Sequence, residues 1–161
     1  MMEVLIVVGS KNDLTEMDGA VQVLKKFDVT FETHVSSAHR TLKRTIGIVE
    51  SAEKSGAKVI IAAAGMSAHL PGVIAALTVI PVIGVPLNSS ALNGLDSLLS
   101  IVQMPSGIPV ATTAIGKSGA TNAALLAVSI LAINNTTLTE KLKKYRKEME
   151  ESVIKTDNEL N

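Results

Sequence analysis

The side chains best suited to chemistry lie in three short stretches, residues 9–13, 36–40 and 65–72, which we call the first, second and third loops. The second and third loops each carry a histidine among small residues, and Arg40 directly follows His39. Histidine can give and take a proton near neutral pH. A guanidinium forms paired hydrogen bonds to a phosphate. Together they favour a phosphorylated small molecule as ligand, with His39 as the candidate acid and base.

Each of these residues also has a purely structural interpretation. A histidine or an arginine in a loop is most often a solvated surface residue, and His69 fits a hydrogen-bonded packing role equally well. His34 falls within a predicted strand and is interpreted as structural. A metal site is not expected, because the chain has no Cys and no H-E-x-x-H pattern.

The first loop reads Gly-Ser-Lys-Asn-Asp and precedes a predicted helix. The free N–H groups at a helix N-terminus favour an anion, which would place a phosphate beside Ser10. An ordinary turn capped by Ser10 or Asp13 is the alternative, and Asp13 could instead bind sugar hydroxyls. The G-x-G-x-x-G, Walker A and G-x-S-x-G patterns are all missing. A dinucleotide, a nucleoside triphosphate and a Ser-His-Asp hydrolase are therefore not indicated.

Each loop follows a run of residues that predicts a strand. Residues 4–8 and 59–64 are apolar throughout, which is typical of parallel strands buried on both faces. A weaker strand is predicted at residues 31–35. In open parallel sheets, ligands bind beyond the carboxyl ends of the strands. The three loops would meet at that edge.

Strands and helices alternate through the rest of this region. Two further strands are predicted at residues 81–85 and 109–113, and Asp13 with Glu16 is predicted to cap the first helix. The other helices are predicted from Leu42 to a stop at Gly56, and at residues 72–78, 91–103 and 120–133. The alternation favours an α/β fold with three α/β/α layers, in which a flavodoxin-like five-stranded parallel sheet has the order 2-1-3-4-5.

Composition limits the class of protein. The 161 residues correspond to about one domain, and 47% of them are hydrophobic, which argues against disorder. The net charge is zero and only three residues are aromatic, so a nucleic-acid partner is not expected. No signal peptide and no run long enough to span a bilayer is apparent. The expectation is a soluble cytoplasmic domain with no membrane partner.

The last part of the chain differs in character. We predict a catalytic α/β domain at residues 1–135 and an extra C-terminal helix at residues 136–161, where charge is dense and Gly and Pro are absent. Thr137 and Glu140 are predicted to form its capping box. Leu138, Leu142, Tyr145 and Met149 would line one face, which packs on its own domain or on a neighbouring subunit.

The sequence around the loops resembles the class I 5-(carboxyamino)imidazole ribonucleotide mutases of purine biosynthesis. The run Leu-Asp-Ser-Leu-Leu-Ser-Ile-Val-Gln-Met-Pro at residues 95–105 is the most specific part of the resemblance. The other matching stretches are residues 9–13, 37–41, 68–72, 81–86, 107–112 and 122–127, so the resemblance covers almost the whole chain.

The resemblance implies an isomerase that converts 5-carboxyamino-1-(5-phospho-D-ribosyl)imidazole (N5-CAIR) to the 4-carboxylate (CAIR) in IMP biosynthesis. It implies decarboxylation and recarboxylation with His39 as general acid and base, a homo-octamer, no cofactor, and a functional link to an ATP-dependent N5-CAIR synthetase. Ser10, Asp13 and Arg40 would hold the ribose phosphate, and residues 65–69 would surround the migrating carboxylate. The full set of implied substrate-binding residues is Ser10, Asp13, Ser37, Ala38, Arg40, Gly65, Ser67, His69 and Leu70.

Three positions depart from the family pattern. Two glycines and two alanines usually precede the histidine of the third loop, whereas Met66 and Ser67 occupy the middle positions here, and Leu14 replaces a usual aromatic residue. Met66 and Ser67 are slightly more similar to the pattern of the related class II enzymes, which carboxylate aminoimidazole ribonucleotide (AIR) with CO2. Residues 38–40 and 69–72 resemble the mutases more strongly. There are two rival interpretations: a non-catalytic module that binds a phosphorylated metabolite or FMN, and a structural subunit. The shortage of aromatic residues counts against binding of a flavin.

Overall fold

The computed structural model describes residues 2–88 and 91–161. Within these residues, five parallel strands form one sheet in the order β2-β1-β3-β4-β5, which confirms the predicted topology. The strands are β1 (Val4–Val8), β2 (Phe31–Val35), β3 (Val59–Gly65), β4 (Val82–Leu87) and β5 (Ala111–Thr112).

The apolar runs of β1 and β3 form the centre of the sheet. Val4 lies opposite Phe31 of β2 on one side and Val59 of β3 on the other. Every residue of β1 is buried, as are all residues of β3 before Gly65. Strands without a polar face are stable only where helices cover both sides of the sheet.

The last two strands differ in length from the prediction. β5 has two residues instead of five, because Pro109 has no N–H to donate to a ladder and pairing with β4 begins only at Ala111. β4 continues through Pro86 to Leu87. A proline is tolerated there because β5 ends at Thr112, opposite Gly84, so no strand lies beside β4 on that side at Pro86.

Helices cover both faces of the sheet and complete the three layers. One core contains residues of α1 (Asp18–Lys26), α5 (Lys117–Ala132) and α6 (Thr136–Leu160). The opposite core contains residues of α2 (Leu42–Lys54), α3 (Leu70–Ala75) and α4 (Leu95–Val102). None of the helices in the described residues combines the length and the apolar character needed to cross a membrane.

The first predicted helix begins differently from the prediction. Residues Lys11–Met17 form a 3-10 helix, and the α-helix starts only at Asp18. The three-residue spacing of Leu14 and Met17 suits a 3-10 helix as well as an α-helix, so the apolar pattern did not distinguish them. Asp13 and Glu16 lie inside this 3-10 helix, so the predicted cap is wrong.

Helix boundaries elsewhere shift by a few residues. α3 starts at Leu70 instead of residue 72, because Pro71 is well suited to a first helical turn. α4 starts at Leu95 instead of residue 91, since Gly94 has a left-handed backbone (φ +83°) that cannot continue a helix. Residues 89 and 90, between β4 and α4, lie outside the described residues.

The first half of α6 packs on its own domain. Leu138 belongs to the core, and Tyr145 meets Phe27 edge-on with ring centroids 5.7 Å apart. Lys141 Nζ lies 2.8 Å from Asp28 Oδ2. The end of the helix, from Met149 onward, is exposed.

The capping of α6 corrects the prediction. Asn135 is the N-cap, and its Oδ1 accepts a hydrogen bond from the Leu138 backbone N at 3.1 Å. The predicted capping box of Thr137 and Glu140 lies inside the helix, where Glu140 instead pairs with Lys143 at 2.8 Å. Asparagine is at least as good an N-cap as threonine, so the capping-box pattern alone did not determine where the helix begins.

Candidate active site

The three loops form one cleft at the carboxyl edge of the sheet, with a volume of about 680 Å³. Backbone hydrogen bonds hold the starts of the first two loops against the neighbouring strands. Gly9 N donates to Ala63 O at 3.2 Å, and Ser36 N donates to Val8 O at 2.9 Å. The cleft is lined by all the predicted site residues, namely Ser10, Asp13, Ser37, Ala38, His39, Arg40, Gly65, Ser67, His69 and Leu70.

The second loop is held by hydroxyl groups. Ser36 is buried, and its Oγ lies 2.8 Å from Thr45 Oγ1 on α2. Thr41 Oγ1 accepts from Ser37 N at 2.8 Å and donates to Ser37 O at 3.1 Å. These bonds close the turn that precedes α2, and they leave the side chains of His39 and Arg40 exposed at the cleft.

Arg40 connects the first two loops. Its Nη2 lies 3.5 Å from Gly9 O and its Nε lies 3.4 Å from Ser37 Oγ, both long contacts. Within residues 2–88 and 91–161, no carboxylate forms an ion pair with this guanidinium. Its charge is therefore available to an anion in the cleft.

The first loop leaves its polar side chains available as well. Ser10 precedes the 3-10 helix without a side-chain capping bond. The Asp13 N–H donates to Ser10 O at 3.2 Å, a contact that uses only backbone atoms. Ser10 occupies the N-cap position, but among the described residues neither its side chain nor that of Asp13 makes a capping hydrogen bond, and both line the cleft.

His39 and His69 are in direct contact across the cleft. Nε2 of His39 lies 3.1 Å from Nδ1 of His69, and the ring centroids are 4.7 Å apart at 75°. Nδ1 of His69 also makes a short hydrogen bond to the Ser67 carbonyl oxygen. The spacing of the two histidines in the sequence, 30 residues apart, carried no signal of this pair.

The two contacts of His69 Nδ1, with Ser67 O and with His39 Nε2, link the protonation states of the two rings. A carbonyl oxygen only accepts, so Nδ1 of His69 carries a hydrogen while it bonds to Ser67 O. In that tautomer of His69, Nε2 of His39 can meet Nδ1 only as a hydrogen-bond acceptor. A hydrogen on Nε2 of His39 could be donated to His69 only after Nδ1 had lost its own. The protonation of one ring therefore constrains the other.

The third loop is a tight turn. Ala68 N donates to Met66 O at 2.8 Å, and His69 N donates to Ser67 O at 2.7 Å, so two three-residue turns follow each other. Met66 has a left-handed backbone (φ +56°) and a side chain that is 60% exposed.

Several cleft residues were not among the predicted site residues. They are Gly9, Asn12 and Ala64, whose only sequence signal is their position beside the predicted ones; Met66 and Ala68 also line the cleft and were predicted only as members of the segment at residues 65–69. His34 lies elsewhere, in a separate pocket of about 440 Å³ where its Nε2 is 3.3 Å from Glu32 Oε2. In the part of the chain that the structure describes, no three His, Asp or Glu side chains are grouped so that they could hold a metal ion.

Comparison with known proteins identifies the family. A model of the family described as AIR carboxylase matches residues 3–152. The N5-carboxyaminoimidazole ribonucleotide mutase of Pyrococcus abyssi is 60% identical over 92% of this chain and 84% of its own length. The mutase of Saccharolobus solfataricus is 54% identical over 97% of this chain and 98% of its own length. The crystal structure of Treponema denticola PurE superposes with a TM-score of 0.90 at 26% identity, over 100% of this chain and 99% of that chain. The chain belongs to the AIR carboxylase family.

Proposed function

We propose that this protein is an isomerase of purine biosynthesis that converts N5-CAIR to CAIR. The observation that carries the proposal is the cleft that Arg40 lines together with the contacting pair of His39 and His69. The high identity to N5-carboxyaminoimidazole ribonucleotide mutases over most of the chain supports this substrate.

In the proposed complex, charge and hydroxyl groups hold the nucleotide. Arg40 and Ser10 bind the phosphate, since a guanidinium pairs well with phosphate oxygens and the Ser10 hydroxyl is not used as a cap. The Asp13 carboxylate accepts hydrogen bonds from the ribose hydroxyls. Ser37 and Ala38 form the small wall of the second loop that lets the base approach His39.

The reaction balances with one proton carrier. The bond between the exocyclic nitrogen and the carboxylate breaks, its electron pair stays on nitrogen, and that nitrogen takes a proton from His39. The electron-rich ring carbon then forms a bond to the released CO2, and the hydrogen on that carbon leaves as a proton to His39. The third loop, with Gly65, Ser67, His69 and Leu70, surrounds the CO2 so that it stays near the ring. No co-reactant is consumed, and none is needed for this balance.

The alternative reaction is the direct carboxylation of AIR. A mutase reuses the CO2 that it releases, whereas a carboxylase takes CO2 from solution. We therefore expect conversion of N5-CAIR in degassed buffer at a rate that does not change with added bicarbonate. With ¹³C-bicarbonate and carbonic anhydrase present, we expect the label to enter CAIR only slowly, as measured by mass spectrometry.

An enzyme-free sample gives the rate at which substrate loses CO2 unaided and serves as the control. Rapid, stoichiometric incorporation of the label would contradict the mutase proposal and favour the carboxylase. Absence of any turnover would favour a binding module. In that case the visible absorbance of the purified protein would show whether it binds a flavin.

We also propose a homo-octamer, a cytoplasmic location and a functional link to an ATP-dependent synthetase that supplies the N-carboxylated substrate. Two exposed apolar surfaces support assembly. One is on α4, where Leu95, Leu99 and Val102 are 53%, 49% and 48% exposed. The other is on the end of α6, where Val153 is 71% and Leu160 is 80% exposed.

Removing residues 149–161 tests whether the end of α6 contributes to this assembly. The shortened chain keeps Leu138 and Tyr145, which pack on the domain, and the ion pair of Lys26 with Glu148. We expect a folded protein whose helical circular dichroism signal falls only by the share of the removed turns of α6. It should dissociate at higher concentration than the full chain, as measured by light scattering. The double substitution K155A/E159A, which removes only an exposed ion pair from the same segment, is the control. An assembly of unchanged size and stability would contradict a role for the end of α6.

A further inference from the structure

Met66 has a backbone conformation that its side chain does not favour. Three non-glycine residues in the described part of the chain have a left-handed φ, namely Asp28, Met66 and Asn93. Asp and Asn tolerate this region because their short polar side chains can bond locally, whereas Met has no such compensation. Methionine is therefore retained here at a cost in stability that glycine would not incur.

The surrounding loop enforces this conformation. The Met66 carbonyl oxygen accepts from Ala68 N at 2.8 Å, and the next turn closes between His69 N and Ser67 O. Ala68 and Leu70 are buried and anchor the loop to the core. The loop therefore presents the Met66 side chain at the cleft, 60% exposed, beside the histidine pair.

A long apolar side chain at this place changes what the cleft can do. The rest of the third loop consists of Gly65, Ser67 and Ala68 before the histidine, none of which can cover bound substrate. Methionine is apolar, unbranched and adaptable in shape, so it can close over a ligand without offering a proton or a strong hydrogen bond. Strained backbone conformations cluster at functional sites.

We propose that Met66 determines the fate of CO2 in the reaction, by covering the side of the cleft where the carboxylate is transferred. The inference rests on the proposed function. With Met66 in place, the CO2 that is released from the exocyclic nitrogen forms a bond to the ring carbon, and the product is CAIR. Without the cover, CO2 escapes, the exocyclic nitrogen keeps the proton from His39, and the products are AIR and CO2.

The test compares M66G with M66L in the full-length protein. AIR and CAIR are quantified by chromatography after turnover of N5-CAIR, with subtraction of the enzyme-free loss of CO2. We expect M66G to raise the ratio of AIR to CAIR, by roughly fourfold for each methylene-sized group lost from contact. M66L keeps the apolar bulk and is expected to keep the wild-type ratio. M66G is also expected to melt at the same or a higher temperature than wild type, because the backbone strain is relieved.

The control for a left-handed backbone outside the cleft is D28G, which also removes the ion pair of Asp28 with Lys141 on α6. It is expected to leave the product ratio unchanged. An unchanged ratio of AIR to CAIR in M66G, or a ratio in M66L as high as in M66G, would overturn this inference but not the proposed function. Absence of turnover by the wild-type protein would overturn the proposed function and this inference with it.

Discussion

Replacing His39 by Asn is expected to lower kcat for the conversion of N5-CAIR by at least ~10²-fold, the lower end of what general acid and base catalysis contributes. Asparagine has a similar shape and can still donate a hydrogen bond, but it cannot carry a proton between two atoms. The second loop is closed by Ser36, Ser37 and Thr41, so its backbone does not depend on the imidazole. Substrate binding is therefore expected to change little, and the loss should appear in kcat.

H34N is the matched control for this experiment. His34 lies in a different pocket beside Glu32, outside the cleft, so its loss should leave kcat near the wild-type value. The measurement is steady-state conversion of N5-CAIR, with circular dichroism to show that each variant is folded. Turnover by H39N within a few-fold of wild type would remove His39 from the proposed mechanism.

The sequence predicts the architecture well because the strongest signals are local. The runs at β1 and β3 are apolar on both faces, which occurs where helices cover a parallel sheet on both sides. Once those strands are assigned, the topology of a parallel sheet brings the loops that follow them to one edge. The lining of the cleft by Ser10, Arg40 and His69 follows from that arrangement.

Other features depend on distances that no local pattern contains. The contact between His39 and His69 joins the loops that follow β2 and β3, two strands that lie on either side of β1. The left-handed backbone of Met66 is fixed by the turns of the third loop, and methionine itself gives no indication of it. The N-cap of α6 was predicted at Thr137 and lies at Asn135, because both residues are competent N-caps and the capping-box pattern favoured the wrong one. The sequence therefore predicts which residues share the cleft more reliably than which atoms meet within it.

Replacing Arg40 by Ala is expected to weaken binding of the nucleotide by roughly 10- to 150-fold, because hydrogen bonds to charged groups contribute about 1.5–3 kcal/mol. The guanidinium has only long contacts to Gly9 O and Ser37 Oγ, so little support for the loops is lost with it. The measurement is the Kd of CAIR and of its dephosphorylated nucleoside, by calorimetry at fixed ionic strength. The nucleoside should bind wild type and R40A equally poorly.

R44A separates a phosphate contact from a general effect of charge. Arg44 lies four residues further along, on α2, donates from Nε to Val35 O at 3.2 Å and lines the pocket of His34 rather than the cleft. Its replacement removes one positive charge close to Arg40, so it should reproduce any long-range electrostatic effect but leave the preference for nucleotide over nucleoside intact. If R40A weakens nucleotide and nucleoside alike, Arg40 supports the loop and does not bind the phosphate. If wild type prefers the nucleoside, the cleft does not recognise the phosphate, and the assignment of Arg40 and Ser10 to the phosphate is wrong.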